Sequence, residues 1–181
     1  ILLADEGWLV RNYIIWYKTN AMPESVKDRF SKKYEVIIMA TKSEQYYFNL
    51  DAVKEPYKES AMERLLRGVS GKGKYREQNL NKPRPNRRGE ILGELMKNPG
   101  DVWAIPTVGS KLAHYAKYPE RLVERMILCS TREDDKVLDP FAGTGTTVLV
   151  ANRLNRQGIG FELGYQEIHL ELISNVFFVR K

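Results

Sequence analysis

The 181-residue sequence predicts an α/β fold on a mostly parallel sheet, incomplete and carrying a basic insertion. Three observations point there. Strand-like and helix-like segments alternate after Gly100, a short apolar strand ends in an acid and a Gly-rich turn, and the excess positive charge is confined to one segment.

The elements follow in chain order. Residues 10–17, with Val10, Tyr13, Ile14, Ile15, Trp16 and Tyr17, are rich in β-branched and aromatic side chains and predict a strand. Residues 34–41 predict a second. The segment between them, which contains Met22, Pro23, Lys27, Arg29 and Phe30, is too long for a tight hairpin turn, and long loops inside compact domains are often functional. Residues 54–100 break the regular pattern with dense Gly, Pro and Asn; short helices are expected only at 59–67 and 90–97. Residues 119–128 place Leu122, Val123, Met126 and Ile127 on one helical face, with Pro119 in the first turn. A buried strand at 136–139, a helix at 146–154, a strand at 158–162 and a helix at 165–173 complete the order. Strand, helix, strand, helix in succession predicts parallel pairing.

Composition narrows the function classes. Hydrophobic residues make up 43% and aromatics 10%, the profile of a folded chain. No apolar run approaches the roughly 20 residues that span a bilayer, and residues 1–10 carry Asp5 and Glu6 without a basic n-region, so no membrane role or signal peptide is expected. The chain opens on an apolar triplet without Met, which reads as a fragment. A lone cysteine, Cys129, permits no intrachain disulfide and suits a reducing cytoplasm. Its apolar neighbours read as burial rather than reactivity. With only His114 and His169 present, no metal site is expected.

The formal net charge is +6, and residues 54–97 hold twelve Lys and Arg against six Asp and Glu, so this one segment carries the entire surplus. A basic segment on a neutral body predicts a polyanionic partner, nucleic acid first. Arg84, Arg87 and Arg88 lie there on a Pro- and Asn-rich stretch without apolar periodicity, and are candidate DNA contacts. Lys27 and Arg29 in the hairpin loop are candidates for phosphate contacts, equally explained by solvation. Tyr46, Tyr47 and Phe48 after the second strand read as core packing rather than base stacking.

The strongest signal is the run Asp139, Pro140, Phe141, Ala142, Gly143, Thr144, Gly145, Thr146 and Thr147. Glycines there let the backbone approach a ligand, and the crevice at strand C-termini is where open α/β sheets bind ligands. A phosphate loop would need Lys after Gly145, and a dinucleotide loop would need Gly where Val148 stands. Asp139 disfavours phosphate and suits an ammonium group. Glu162, 23 residues on at the next strand's end, has the placement of an acid that accepts ribose hydroxyls.

This motif resembles the cofactor turn of the DNA amino-methyltransferases, which modify adenine N6 or cytosine N4. Residues 158–163 (Gly158 to Leu163) resemble that family's following strand with its ribose-binding acid. Residues 114–122 and 101–103 are similar to the segments preceding the cofactor motif, and residues 15–35 resemble the hairpin after its catalytic region. The resemblance implies a Rossmann-like methyltransferase sheet of seven strands, mostly parallel with one reversed, of which this chain supplies about four.

It further implies S-adenosylmethionine as cofactor, with His114 and Tyr115 joining the cofactor wall, and double-stranded DNA as partner. The implied division is residues 1–53 as the hairpin half of the core, 54–100 as a target-recognition insertion, and 101–181 as the cofactor-binding half.

One departure matters. The family's Asp- or Ser-Pro-Pro-Tyr tetrapeptide is missing, since the chain contains no Pro-Pro pair, so no catalytic residue is assigned. In the arrangement this chain resembles, the tetrapeptide falls upstream of Ile1, on a complementary N-terminal segment; a homodimer partner is the other association considered. The resemblance of residues 22–29 to certain members favours cytosine N4 as target, and the family resemblance as a whole suggests a place in a restriction-modification system. Adenine N6 and a non-catalytic cofactor- and DNA-binding fragment are the alternatives.

Overall fold

The computed structural model describes residues 2–61, 96–109 and 118–163. Two compact units emerge, one from residues up to Val53 together with those from Gly100 on, the other within Lys54–Pro99.

The first unit opens with a short helix, α1 (Leu2–Asp5), leading into β1 (Leu9–Tyr17). β1 pairs antiparallel with β2 (Tyr34–Thr41), with an irregularity between Val10 and Asn12. A single-turn 3-10 helix covers Asp51–Val53. In the second unit β3 (Glu55–Pro56) and β4 (Met96–Lys97) form an antiparallel pair, with Lys97 and Glu55 3.9 Å apart. Back in the first unit, β5 (Val102–Ala104) runs parallel to β1, giving the order β2-β1-β5. Then follow α2 (Glu120–Ser130), β6 (Lys136–Asp139), α3 (Thr146–Arg153) and β7 (Gln157–Gly160). β6 and β7 pair parallel in register from Lys136–Gln157 to Asp139–Gly160.

The pleat decides which side chains meet. Ile14 and Trp16 point to one face of β1 and join Trp103, Ile105 and Leu122 in a core cluster. The buried Trp16 indole N–H donates to the Ile105 carbonyl at 2.8 Å, so the polar edge of a large apolar ring is satisfied. The adjoining stripe of α2 places Val123 and Ile127 against Val150 and Ala151 of α3. Tyr118 and Met126 border both clusters, and α2 is thus the shared wall of the two strand groups.

α3 sits close on β7 because residue 158 is glycine. A Cβ at Gly158 would lie 2.7 Å from the Val148 carbonyl oxygen, closer than real contacts allow. The βαβ unit therefore depends on a missing side chain.

Several expectations are corrected. Met96 and Lys97 are strand, not the end of a helix from residue 90: the ladder with Glu55 and Pro56 overrides their helix propensity, while residues 90–95 lie outside the described residues. Residues 59–61 are helical, and the remainder of the helix expected to 67 lies outside. The β6 strand is not buried on both faces. Val137 packs toward α2 and α3, whereas Leu138, turned the other way by the pleat, is 57% exposed. Tyr46 and Phe48 are exposed rather than core, and the Tyr46 and Tyr47 rings lie under the guanidinium groups of Arg11 and Arg132. The first unit has five strands among the described residues rather than four, because residues 102–104 add β5. The 165–173 helix lies outside the described residues.

Candidate functional site

The site grows from the end of β6. Asp139 closes the strand, and the chain turns through residues 140–145 into α3. Two glycines make the turn possible: Gly143 has φ of 53° and Gly145, the residue capping α3, has φ of 77°. Both lie in the left-handed region that a side chain disfavours.

Hydrogen bonds then lock the turn to its two acids. Asp139 Oδ1 accepts the Phe141 N–H at 3.0 Å, and Oδ2 accepts the hydroxyls of Thr147 at 2.5 Å and Tyr118 at 2.9 Å. Glu162 Oε2 accepts the Gly143 N–H at 2.8 Å, and its Oε1 accepts the Leu163 N–H at 2.9 Å. Backbone bonds stitch turn to strand: Ala142 N–H to the Phe161 carbonyl, and Phe161 N–H to the Asp139 carbonyl, both 2.9 Å. β7 itself ends at Gly160, so Glu162 stands just past the strand end rather than within it.

The two carboxylates thus face one glycine turn from neighbouring strand ends. Asp139 Oδ2 accepts two donors and Oδ1 one, so on Asp139 the room for a further donor lies at Oδ1. Ala142 and Thr146 are buried beneath the turn, Pro140 and Phe141 are exposed on it, and Thr144 lies 3.4 Å from Thr146, hydroxyl to hydroxyl. Burial, above all, pushes the Tyr118 phenol up to about 12, so it remains a protonated donor at neutral pH.

A hollow of about 500 Å³ opens beside Asp139 and Thr147, with Trp16, Ile37 and Met126 in its wall. A second, of about 290 Å³, is lined by Ile105, Val108, Tyr118 and Arg121 among others. Tyr118 borders both. It belongs to the 114–122 segment singled out in the sequence but was not itself chosen there; its signal was an aromatic hydroxyl two residues before an apolar helix face.

The other candidates are dispersed. Lys27 and Arg29 are exposed in the β1–β2 loop, Arg29 pairing with Asp28 at 3.2 Å. His114, Tyr115, Arg84, Arg87 and Arg88 lie outside the described residues. Cys129 is buried, its thiol donating to the Met126 carbonyl at 3.3 Å and pushed up by burial, which fits an inert packing residue. Among the described residues no cluster of His, Cys, Asp or Glu could hold a metal, and no helix is long and apolar enough to cross a membrane.

Comparison with known proteins adds the family. A family model described as DNA methylase, covering the N6 and N4 enzymes, matches residues 1–173. The type II methyltransferase M.Cfr9I of Citrobacter freundii is 37% identical over 168 residues, covering 93% of this chain and 45% of that protein. M.BglII of Bacillus subtilis is 34% identical over 175 residues, covering 93% and 43%. The chain thus spans under half the length of these relatives.

Among solved structures, the M1.HpyAVI–SAM complex matches with a TM-score of 0.53 and 25% identity, over 92% of this chain and 62% of that one. The PvuII DNA methyltransferase, described as cytosine-N4-specific, matches with a TM-score of 0.60 at 19% identity, over 92% and 51%. The fold is the Rossmann-like one of S-adenosylmethionine-dependent methyltransferases.

Proposed function

The chain belongs to the DNA methylase family of N6 and N4 enzymes, and on that premise we propose that it carries the cofactor pocket and part of the DNA-contacting surface of a site-specific DNA amino-methyltransferase. The observation that carries this reading is the pair of acids, Asp139 and Glu162, bonded to one glycine turn at adjacent strand ends. Asp139 matches the charge of an amino-acid ammonium. Glu162 matches a ribose diol, and the turn between them lets a nucleoside approach the backbone.

S-adenosylmethionine fits that donor set and supplies an electrophilic methyl group when bound. Asp139, Glu162 and the 140–147 turn would hold and orient it, with His114 and Tyr115 beside them. No residue of this chain is assigned to the transfer itself. In our reading the group that holds the target amine comes from a segment outside these 181 residues. The hollow beside β6, together with the exposed Val36, Ile38 and Leu138, leaves apolar surface for such a segment.

Duplex DNA is the proposed partner, met by Arg84, Arg87 and Arg88 and, from the hairpin loop, by Lys27 and Arg29. Replacing the three arginines with Ala is expected to weaken DNA binding and flatten its salt dependence, by about 0.9 in log–log slope for each phosphate no longer neutralised. An unchanged slope would remove them from the interface.

The target we favour is cytosine N4, on the resemblance of the 22–29 loop, within a restriction-modification system. Nucleoside analysis of DNA treated with the complete enzyme tests it. N4-methylcytosine is expected; N6-methyladenine as sole product would move the assignment to adenine.

A further inference from the structure

Asp139 does not stand alone at the turn. Its Oδ2 is one corner of an oxygen triangle whose others are Thr147 Oγ1, at 2.5 Å, and the Tyr118 phenol, at 2.9 Å; the two hydroxyls are themselves 2.5 Å apart. Only two hydroxyl hydrogens serve these three contacts. They suffice if Thr147 donates to Asp139 and the phenol hydrogen is shared between Thr147 and Asp139. Oδ1 is held separately by the Phe141 N–H.

The Tyr118 ring has little freedom to leave this arrangement. It packs against both apolar clusters, and Pro119 and α2 follow it directly. The phenol thereby ties the start of α2, an element outside the glycine turn, to the acid that opens the turn. Phenylalanine would fill the same space and leave Oδ2 to Thr147 alone.

We propose that Tyr118 is a positioning residue for cofactor binding, fixing the Asp139 carboxylate in the orientation that receives the ammonium group of an amino-acid-bearing nucleoside. The inference rests on the cofactor reading above and adds to it a residue from a different element. Burial keeps the phenol protonated through the physiological range, so the donor is constant with pH there.

The test is calorimetric, with two probes: S-adenosylmethionine, and 5′-methylthioadenosine, which keeps the nucleoside but has no amino-acid end. In the Tyr118→Phe chain, S-adenosylmethionine is expected to bind about 10-fold more weakly, as for removal of a hydrogen bond to a charged group, with methylthioadenosine unchanged. Placed on Asp139→Asn, the same substitution should cost nothing further, because residues acting through one another are not additive.

Thermal melting checks that the variant stays folded. Thr147→Val, which removes the other hydroxyl of the triangle at similar volume, should show the same selective loss if Tyr118→Phe does not fold. Equal losses for both probes, additive losses in the double variant, or no loss at all would overturn the proposal. An unaltered chain that binds neither probe would instead overturn the cofactor reading.

Discussion

The β6–α3–β7 segment and the β1–β2 hairpin lie in one unit and carry candidate residues of opposite character. In the first, the residues singled out by motif bond one another: both acids grip the turn, Gly145 caps the helix in a left-handed conformation, and Gly158 lets α3 touch β7. In the second, antiparallel strand pairing forms the framework, and Lys27 and Arg29 stand on an exposed loop between the paired strands. Where a residue's identity is dictated by backbone geometry, its site is built into the fold. Where it is not, the residue is free to serve a partner, and its role shows only when that partner is present.

The largest effect that would break this contrast is at Gly158. Gly158→Ala should destabilise the chain by about 2–3 kcal/mol, as overpacking does, measured by chemical denaturation. Cofactor affinity should fall with it, because α3 begins at the turn. A neutral alanine would mean that α3 can shift away and that the close approach is not required.

Trp16→Phe comes next. It leaves the buried Ile105 carbonyl without the indole donor now at 2.8 Å, at a cost of about 1–2 kcal/mol. Retained stability there would show that this core tolerates the change by admitting water.

A smaller effect is expected in alkali. The Tyr118 phenol is raised in the folded chain, so between pH 10 and about 12 the unfolded chain releases this proton while the folded one keeps it. Stability should therefore fall as pH rises through that window, and Tyr118→Phe should remove that part of the fall. A melting temperature equally pH-dependent in the variant would assign the effect to other groups.

At the hairpin, Lys27→Ala with Arg29→Ala should leave stability within the roughly 0.5 kcal/mol usual for surface changes. The same pair should lower the salt slope of DNA binding by about 2, one unit for each phosphate left without its cation. Reduced stability without a change in slope would reverse the contrast, making this loop structural.

The contrast also explains what the sequence disclosed. Strands 34–41 and 136–139 were legible to the residue, because β-branched runs bounded by polar residues leave one sheet register open. The turn of 139–147 was legible because two glycines, an acid and three threonines have few ways to be satisfied together. Residues 96–97 were not, because their strand is made by a partner forty residues away, at Glu55 and Pro56, and local propensity carries no trace of it. Tyr46 and Tyr47 read as core because rings covered by arginine look, in sequence, like any aromatic cluster. Tyr118 was missed for a related reason: its hydroxyl matters only once α2 is folded against β6, bringing it to an acid twenty-one residues on.

The central claim is that Asp139 and the turn after it hold an amino-acid-bearing nucleoside. Titrating S-adenosylmethionine by calorimetry into the folded chain, beside an Asp139→Ala variant shown by melting to be folded, tests it most directly. Saturable binding near one equivalent is expected, weakened about 100-fold or more in the variant, as for removal of a charged hydrogen-bonding partner. Binding of equal strength in both would contradict the claim, as would no binding by the folded unaltered chain.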